Sequence, residues 1–328
     1  MPKVLVTPHM LQRQAGPYKD VLEAAGLEVV YPPVGANTLE ETVIAELLTP
    51  DIVGMLASTE PMNRRVISAS SLKIIARLGV GYDSVDIQAA IDHGTAVTIT
   101  PGTLEASVAE LTVGMLLCLT RDLIGKDAEV RRGDWQRAAG PRLAGKTFGL
   151  VGAGRIGRAV AQRIAAFDMK VQAYDPFADP GSLQDLGIEA VSEFSDLARN
   201  ADVLSLHLPC TPDSKGMVSE EILRNMKPNS ILINLGRGGL VDEQALAKVL
   251  GEGHLLGAAL DVFEQEPLPL DSPLLNAPRL LLSSHMGGID ADSAVLASRL
   301  AAQCIVDIYQ QRWPDECLVN PEVKSGWQ

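Results

Sequence analysis

The sequence predicts an α/β protein of two doubly wound parallel-sheet domains, the second inserted into the first. Three observations carry this. Short β-rich runs alternate with helical patterns in two successive series, a glycine-rich turn opens the second series, and a long apolar helical segment flanks that series on each side. At 328 residues the chain exceeds one ordinary domain.

The first series runs through Val4–Val6, Glu28–Val30, Ile52–Leu56, Lys73–Ala76 and Ala96–Ile99. Helical patterns such as Leu39–Leu48 and Val85–His93 lie between these runs. Strand and helix alternating in this way imply a parallel sheet covered on both faces, and five strands suggest a flavodoxin-like unit. The second series begins at Thr147–Val151. It continues through Val171–Tyr174, Ala190–Val191, Val203–Leu206, Ile231–Ile233, Ala258–Leu260 and Leu280–Leu282, the longer sheet of a nucleotide-binding Rossmann domain.

Leu104–Ile124 joins the two series as one long helical segment, and Ala291–Gln311 follows the last strand with the same apolar character. The residues beyond it are too few for a domain. The last helix is therefore expected to return to the first domain, making that domain discontinuous: residues 1–101 with 288–328, around an inserted domain of residues 102–287.

Composition narrows the function. A net charge of −13 argues against nucleic acid, whose phosphates need clustered Lys and Arg, and against an anionic membrane surface. No apolar run approaches the roughly 20 residues of a membrane helix. The start, Met1–Val6, enters a strand without the basic region and cleavage site of a secretory signal, so a cytoplasmic location is expected. Cys118, Cys210, Cys304 and Cys317 show no paired spacing, with Cys118 and Cys304 in apolar helical stretches. No metal site is expected, since no two histidines are spaced as a ligand pair.

Gly152-Ala153-Gly154-Arg155-Ile156-Gly157 follows a strand and opens a helix. The glycines serve a tight turn, close approach of backbone to a pyrophosphate, and close helix–strand packing. The helix N-terminus then meets the phosphates with unpaired N–H groups. Asp175 ends the next strand, where a carboxylate should bond the ribose 2′-hydroxyl. It would repel a 2′-phosphate, so NAD is expected rather than NADP. The bland alternative for Asp175 is a turn cap before Pro176.

Three later segments place titratable residues at strand ends: Ile233–Asp242, Leu260–Pro267 and Leu282–Gly288. Their cores, NLGRGGLVDE, ALDVFEQEP and SSHMGG, resemble in order and spacing the signatures of the D-isomer-specific 2-hydroxyacid dehydrogenase family. Arg77–Asp83 resembles that family's substrate loop, and Pro101–Thr103 with Ser107–Leu111 resembles the start of its hinge helix. The resemblance covers essentially the whole chain.

It implies hydride transfer between NAD and a small anionic 2-hydroxy or 2-keto acid. Arg237 would clamp the substrate carboxylate and polarise the carbonyl, as a planar, always-charged guanidinium can. His285 would be the acid–base, with Glu266 orienting its imidazole. Asn234, Leu235, Gly236 and Asp261 would lie along the cofactor, Asp261 toward its nicotinamide end. His207, a second candidate acid–base, is read with Pro209 and Thr211 as part of the cofactor wall. Arg77, Val80 and Gly81 would face the substrate, and Arg77 together with His9 and Arg13 after the first strand and Tyr82 hints at a second anionic group.

The expected substrate is one like 3-phosphoglycerate, with glyoxylate or hydroxypyruvate as the alternative. Ser284, where many relatives carry Pro, and Gly236, where Ala, Ser or Cys is frequent, depart from the family pattern without touching the reacting atoms. Phosphite oxidation and a non-enzymatic NAD-sensing corepressor role are the competing readings. Leu111–Gly133, running on to Trp135, resembles the family's dimer-forming arm, so a homodimer is expected, with Trp135 either an interface anchor or a local core residue.

Overall fold

The computed structural model describes residues 1–326. The chain forms two compact units: residues 1–104 together with the chain from Asp290 onward, and Glu105–Ile289 between them.

The first unit holds β1 (Lys3–Val6), β2 (Glu28–Val30), β3 (Ile52–Ala57), β4 (Ile74–Arg77) and β5 (Ala96–Thr98). They form one parallel sheet in the order β2-β1-β3-β4-β5, the flavodoxin-like order. Helix Ala291–Tyr309 returns to this sheet. Ala301, Cys304, Ile305 and Ile308 join Val4, Val6 and Ile74 in one buried cluster. Gly54 of β3 makes room for this, since a Cβ there would stand 3.1 Å from a methyl of Ile305. Beyond the helix, Leu318 pairs antiparallel with Thr98, and the Asn320 side chain bonds the backbone of Thr95 and Val97.

The second unit holds β6 (Thr147–Val151), β7 (Lys170–Tyr174), β8 (Ile188–Ala190), β9 (Val203–Leu206), β10 (Ile231–Asn234), β11 (Gly257–Leu260) and β12 (Leu280–Leu282). All are parallel, in the order β12-β11-β10-β9-β6-β7-β8. The central strands are buried on both faces, which is why they read as continuous apolar runs without alternation. The order reverses between β6 and β9. Ligands of such sheets bind outside the carboxyl ends of the strands at that reversal.

Helices form where sequence and caps agree. Arg155–Ala165 buries Gly157, Val160, Ala161 and Ile164, one stripe at helical spacing. Asp242 caps Glu243–Gly251 by accepting the Ala245 N–H. One expectation is corrected: Leu104–Ile124 is not a single helix. Helix Glu105–Arg121 ends at Asp122, whose φ is +49°, and a second helix spans Leu123–Arg131. Aspartate tolerates the left-handed conformation, and its carboxylate folds over the next turn at Gly125, where a Cβ would lie 2.6 Å from Oδ1. The second helix buries no residue and exposes Leu123, Ile124 and Val130. Trp135 is 79% exposed, which removes the local-core alternative.

Candidate active site

The glycine turn after β6 has the geometry that its sequence calls for. Gly152 sits at φ +90°, and a Cβ on it would stand 2.5 Å from the His207 carbonyl oxygen. A Cβ on Gly157 would stand 2.1 Å from the Gly152 carbonyl oxygen, so only glycine lets the helix pack onto the turn. Gly154 differs: nothing lies within 4 Å of its Cβ position, leaving open space beside exposed backbone. No side chain caps the helix that starts at Arg155, so its first N–H groups are offered to an anion. Arg155 is exposed there and Ile156 half-buried.

Asp175 follows β7 and does two things at once. Its Oδ2 accepts the Ala153 N–H at 2.8 Å, and its Oδ1 accepts the Phe177 N–H at 2.9 Å. The turn-capping alternative and the placement beside the glycine loop are therefore both present.

At the carboxyl end of β10, Asn234 shapes the turn that carries Arg237. Its Oδ1 accepts the Gly236 N–H and its Nδ2 donates to the Arg237 carbonyl. Leu235 and Gly236 are buried beneath this turn. Gly238 presses on the next loop, since a Cβ there would fall 1.8 Å from the Phe263 carbonyl carbon. Asp261, after β11, is 1% exposed. Its carboxylate accepts the Ser283 hydroxyl, the Met286 N–H at 2.9 Å and the Gly287 N–H at 2.7 Å, while its carbonyl accepts the His285 N–H at 2.8 Å. One buried residue thus holds the whole loop after β12.

That loop presents His285 at φ +53°. A non-glycine residue persists in this region only when its surroundings hold it there. The imidazole Nδ1 lies 2.7 Å from Glu266 Oε2, and Glu266 Oε1 accepts the Phe263 N–H at 2.9 Å. Partial burial pushes the Glu266 carboxyl up. The hydrogen bonds from His285 and Phe263, with the charges of His285 and Arg237, outweigh burial and hold it below the ordinary glutamate value. Arg237, Glu266 and His285 are therefore brought together from three strand ends. A cation, a carboxylate and an imidazole grouped in this way can bind an anion and pass a proton.

The family model for the D-isomer specific 2-hydroxyacid dehydrogenase NAD binding domain matches residues 113–287, more than half of the chain. The chain belongs to the D-isomer-specific 2-hydroxyacid dehydrogenase family. It is 34% identical over 88% of its length to the D-3-phosphoglycerate dehydrogenase of Methanocaldococcus jannaschii and 40% identical over 81% to the glyoxylate reductase of Thermofilum pendens. It spans 56% of the former's length and 80% of the latter's. The NAD-dependent formate dehydrogenase of Staphylococcus aureus, solved with NAD, superposes with a TM-score of 0.84 at 28% identity, covering 97% of this chain and 99% of that one. The cofactor of this NAD-dependent oxidoreductase family is NAD, and the open glycine turn with its uncapped helix fits a dinucleotide's phosphates.

Within the family's dehydrogenase architecture, His207 needs a different account from His285. Its Nε2 pairs with the Ser205 hydroxyl at 2.8 Å, and its enclosed Nδ1 has no hydrogen-bond partner among the described residues. Burial pushes its pKa down to about 3, which favours the neutral imidazole near pH 7. Pro209 and Thr211 lie exposed on the loop that follows. In the other unit, Arg77 ends β4 at 7% exposure, and its Nε donates to the Gly81 carbonyl at 3.1 Å. Val80 and Gly81 are half-buried on the loop that this bond closes.

Sequence reading missed what Asp261, Asn234 and Ser283 do for the loops. Each is a short polar residue at the carboxyl end of an apolar strand, the one available signal.

Proposed function

We propose that the chain is an NAD-dependent D-2-hydroxyacid dehydrogenase working as a reductase of small 2-keto acids. The observation that carries this reading is the 2.7 Å pairing of His285 Nδ1 with Glu266 Oε2, in a cluster that includes Arg237. When bound, the nicotinamide supplies or takes the hydride at the substrate's 2-carbon. Arg237 clamps the carboxylate and draws electron density from the carbonyl. In reduction, protonated His285 donates from Nε2 to the oxygen as the hydride arrives at carbon; in oxidation it takes that proton back. Glu266 fixes the ring and stabilises the imidazolium. Asp175 meets the adenine ribose, and Gly152, Gly154, Arg155, Ile156, Gly157, His207, Pro209, Thr211, Asn234, Leu235 and Gly236 form the cofactor wall.

The substrate proposed is an unphosphorylated keto acid such as glyoxylate or hydroxypyruvate. The burial of Arg77, whose Nε donates to the Gly81 carbonyl, supports this reading over a substrate that carries a phosphate. Val80 and Gly81 would then contribute backbone N–H groups to the substrate. The kinship with a D-3-phosphoglycerate dehydrogenase favours 3-phosphoglycerate as the second reading.

NADH absorbance followed against a panel of 2-keto acids, phosphohydroxypyruvate included, decides between them. Glyoxylate or hydroxypyruvate as the preferred substrate is the expected result. A preference for phosphohydroxypyruvate, lost selectively in Arg77→Ala, would establish the second reading. Inactivity on the entire panel, with NADH bound, would sink both. The reading includes a homodimer and a cytoplasmic location, where the soluble NAD pool is met.

A further inference from the structure

The peptide bond between Phe263 and Glu264 is gripped from the segment that carries Arg237. Gly238 rests against it, its Cβ position only 2.3 Å from the Glu264 nitrogen. Glu243 Oε1 also accepts the Glu264 N–H at 2.7 Å. The neighbouring Phe263 N–H is the group that holds Glu266 Oε1, and Glu266 Oε2 holds His285. A chain of contacts therefore runs from the first turn of helix Glu243–Gly251, through one peptide, to the acid–base pair. We propose that Glu243 is a positioning residue that sets the Glu266 loop, and through it His285, in register with Arg237. This rests on the function proposed above.

Helix capping alone does not account for Glu243. The cap is Asp242, which already accepts the Ala245 N–H. Glu243 is half-buried, and burial, with the nearby charges of Glu264 and Glu266, raises its pKa despite the hydrogen bond from Glu264 that lowers it. A carboxylate kept against desolvation and two like charges serves a local geometric purpose. The Glu264 carboxylate turns instead toward Lys215, 3.7 Å away, leaving its backbone N–H to Glu243. The charges that act on Glu266 are those of His285 and Arg237.

The test compares Glu243→Ala with Glu243→Gln, whose amide oxygen can accept the same N–H. In Glu243→Ala, kcat for the preferred keto acid should fall roughly ten- to a hundredfold, as expected when a reacting group drifts by a fraction of an ångström. NADH affinity should hold, and Glu243→Gln should keep kcat within about threefold of the parent. Imidazole NMR gives a readout independent of turnover. The ring signals of His285, identified by their absence in His285→Asn, should shift in Glu243→Ala and stay in place in Glu243→Gln, because a displaced Glu266 no longer meets Nδ1 at 2.7 Å.

Unchanged kcat and an unchanged pair in Glu243→Ala would overturn the proposal. So would equal losses in both variants, which would make the charge and not the acceptor geometry responsible. If the parent reduces no keto acid while the ring signals still shift as stated, the functional reading fails and the positioning role stands.

Discussion

His285 is where local backbone cost and chemistry meet. Its left-handed φ of +53° costs on the order of 1–3 kcal/mol unless the loop compensates, and the Asp261 hydrogen bonds compensate. Replacing His285 with Ala should lower kcat by roughly 10²–10⁴-fold while leaving NADH affinity within a few fold, as stopped-flow binding would show. The pH sign follows from Glu266. Its folded value is depressed, so its contribution to stability is present above the ordinary glutamate value of about 4.3 and is lost as pH falls through the folded value. Glu266→Gln should flatten the acid limb of thermal stability, and an identical limb in parent and variant would count against the pairing. Asp175 holds Ala153 and Phe177 together, so Asp175→Ala should weaken NAD and narrow the preference over NADP, read from the two kcat/KM values.

At the scale of the element, the site is three turns leaning on one another. Gly238 has no room for a methyl group against Phe263, so Gly238→Ala should separate the Arg237 turn from the Glu266 loop. Activity should be nearly abolished with the sheet intact by circular dichroism. Asp261 serves the loop after β12 in the same way. Asp261→Ala leaves the Met286 and Gly287 N–H groups without their acceptor, each costing about 1–3 kcal/mol, and should lower both Tm and kcat. These turns were partly legible beforehand. Glycine next to arginine, and histidine before paired glycines, announced tight turns at strand ends. Which polar side chain would hold which turn was not legible, because Asp261 and Ser283 lie in different segments and meet only when β11 and β12 pair.

At the scale of the whole molecule, helix Leu123–Arg131 leaves Leu123, Ile124 and Val130 in solvent with Trp135 shortly beyond. Apolar groups so arranged on a chain of net charge −13 fit the proposed homodimer, with Trp135 as an anchor. Sedimentation should give a dimer for the parent and a weaker one for Trp135→Ala; a monomeric parent would exclude it.

The linear sequence by itself determined the two parallel sheets, the return of the last helix to the first and the glycine turn, because apolar periodicity and glycine are local signals that each segment carries alone. It also placed Arg237, Glu266 and His285 at the ends of strands. Tertiary structure alone decided that Asp122 breaks the long helix, that Arg77 donates to the Gly81 carbonyl, and that burial favours the neutral form of His207 while His285 pairs with Glu266. Those outcomes depend on burial and on partners brought in by strand pairing. A residue's neighbours in the chain do not reveal either one.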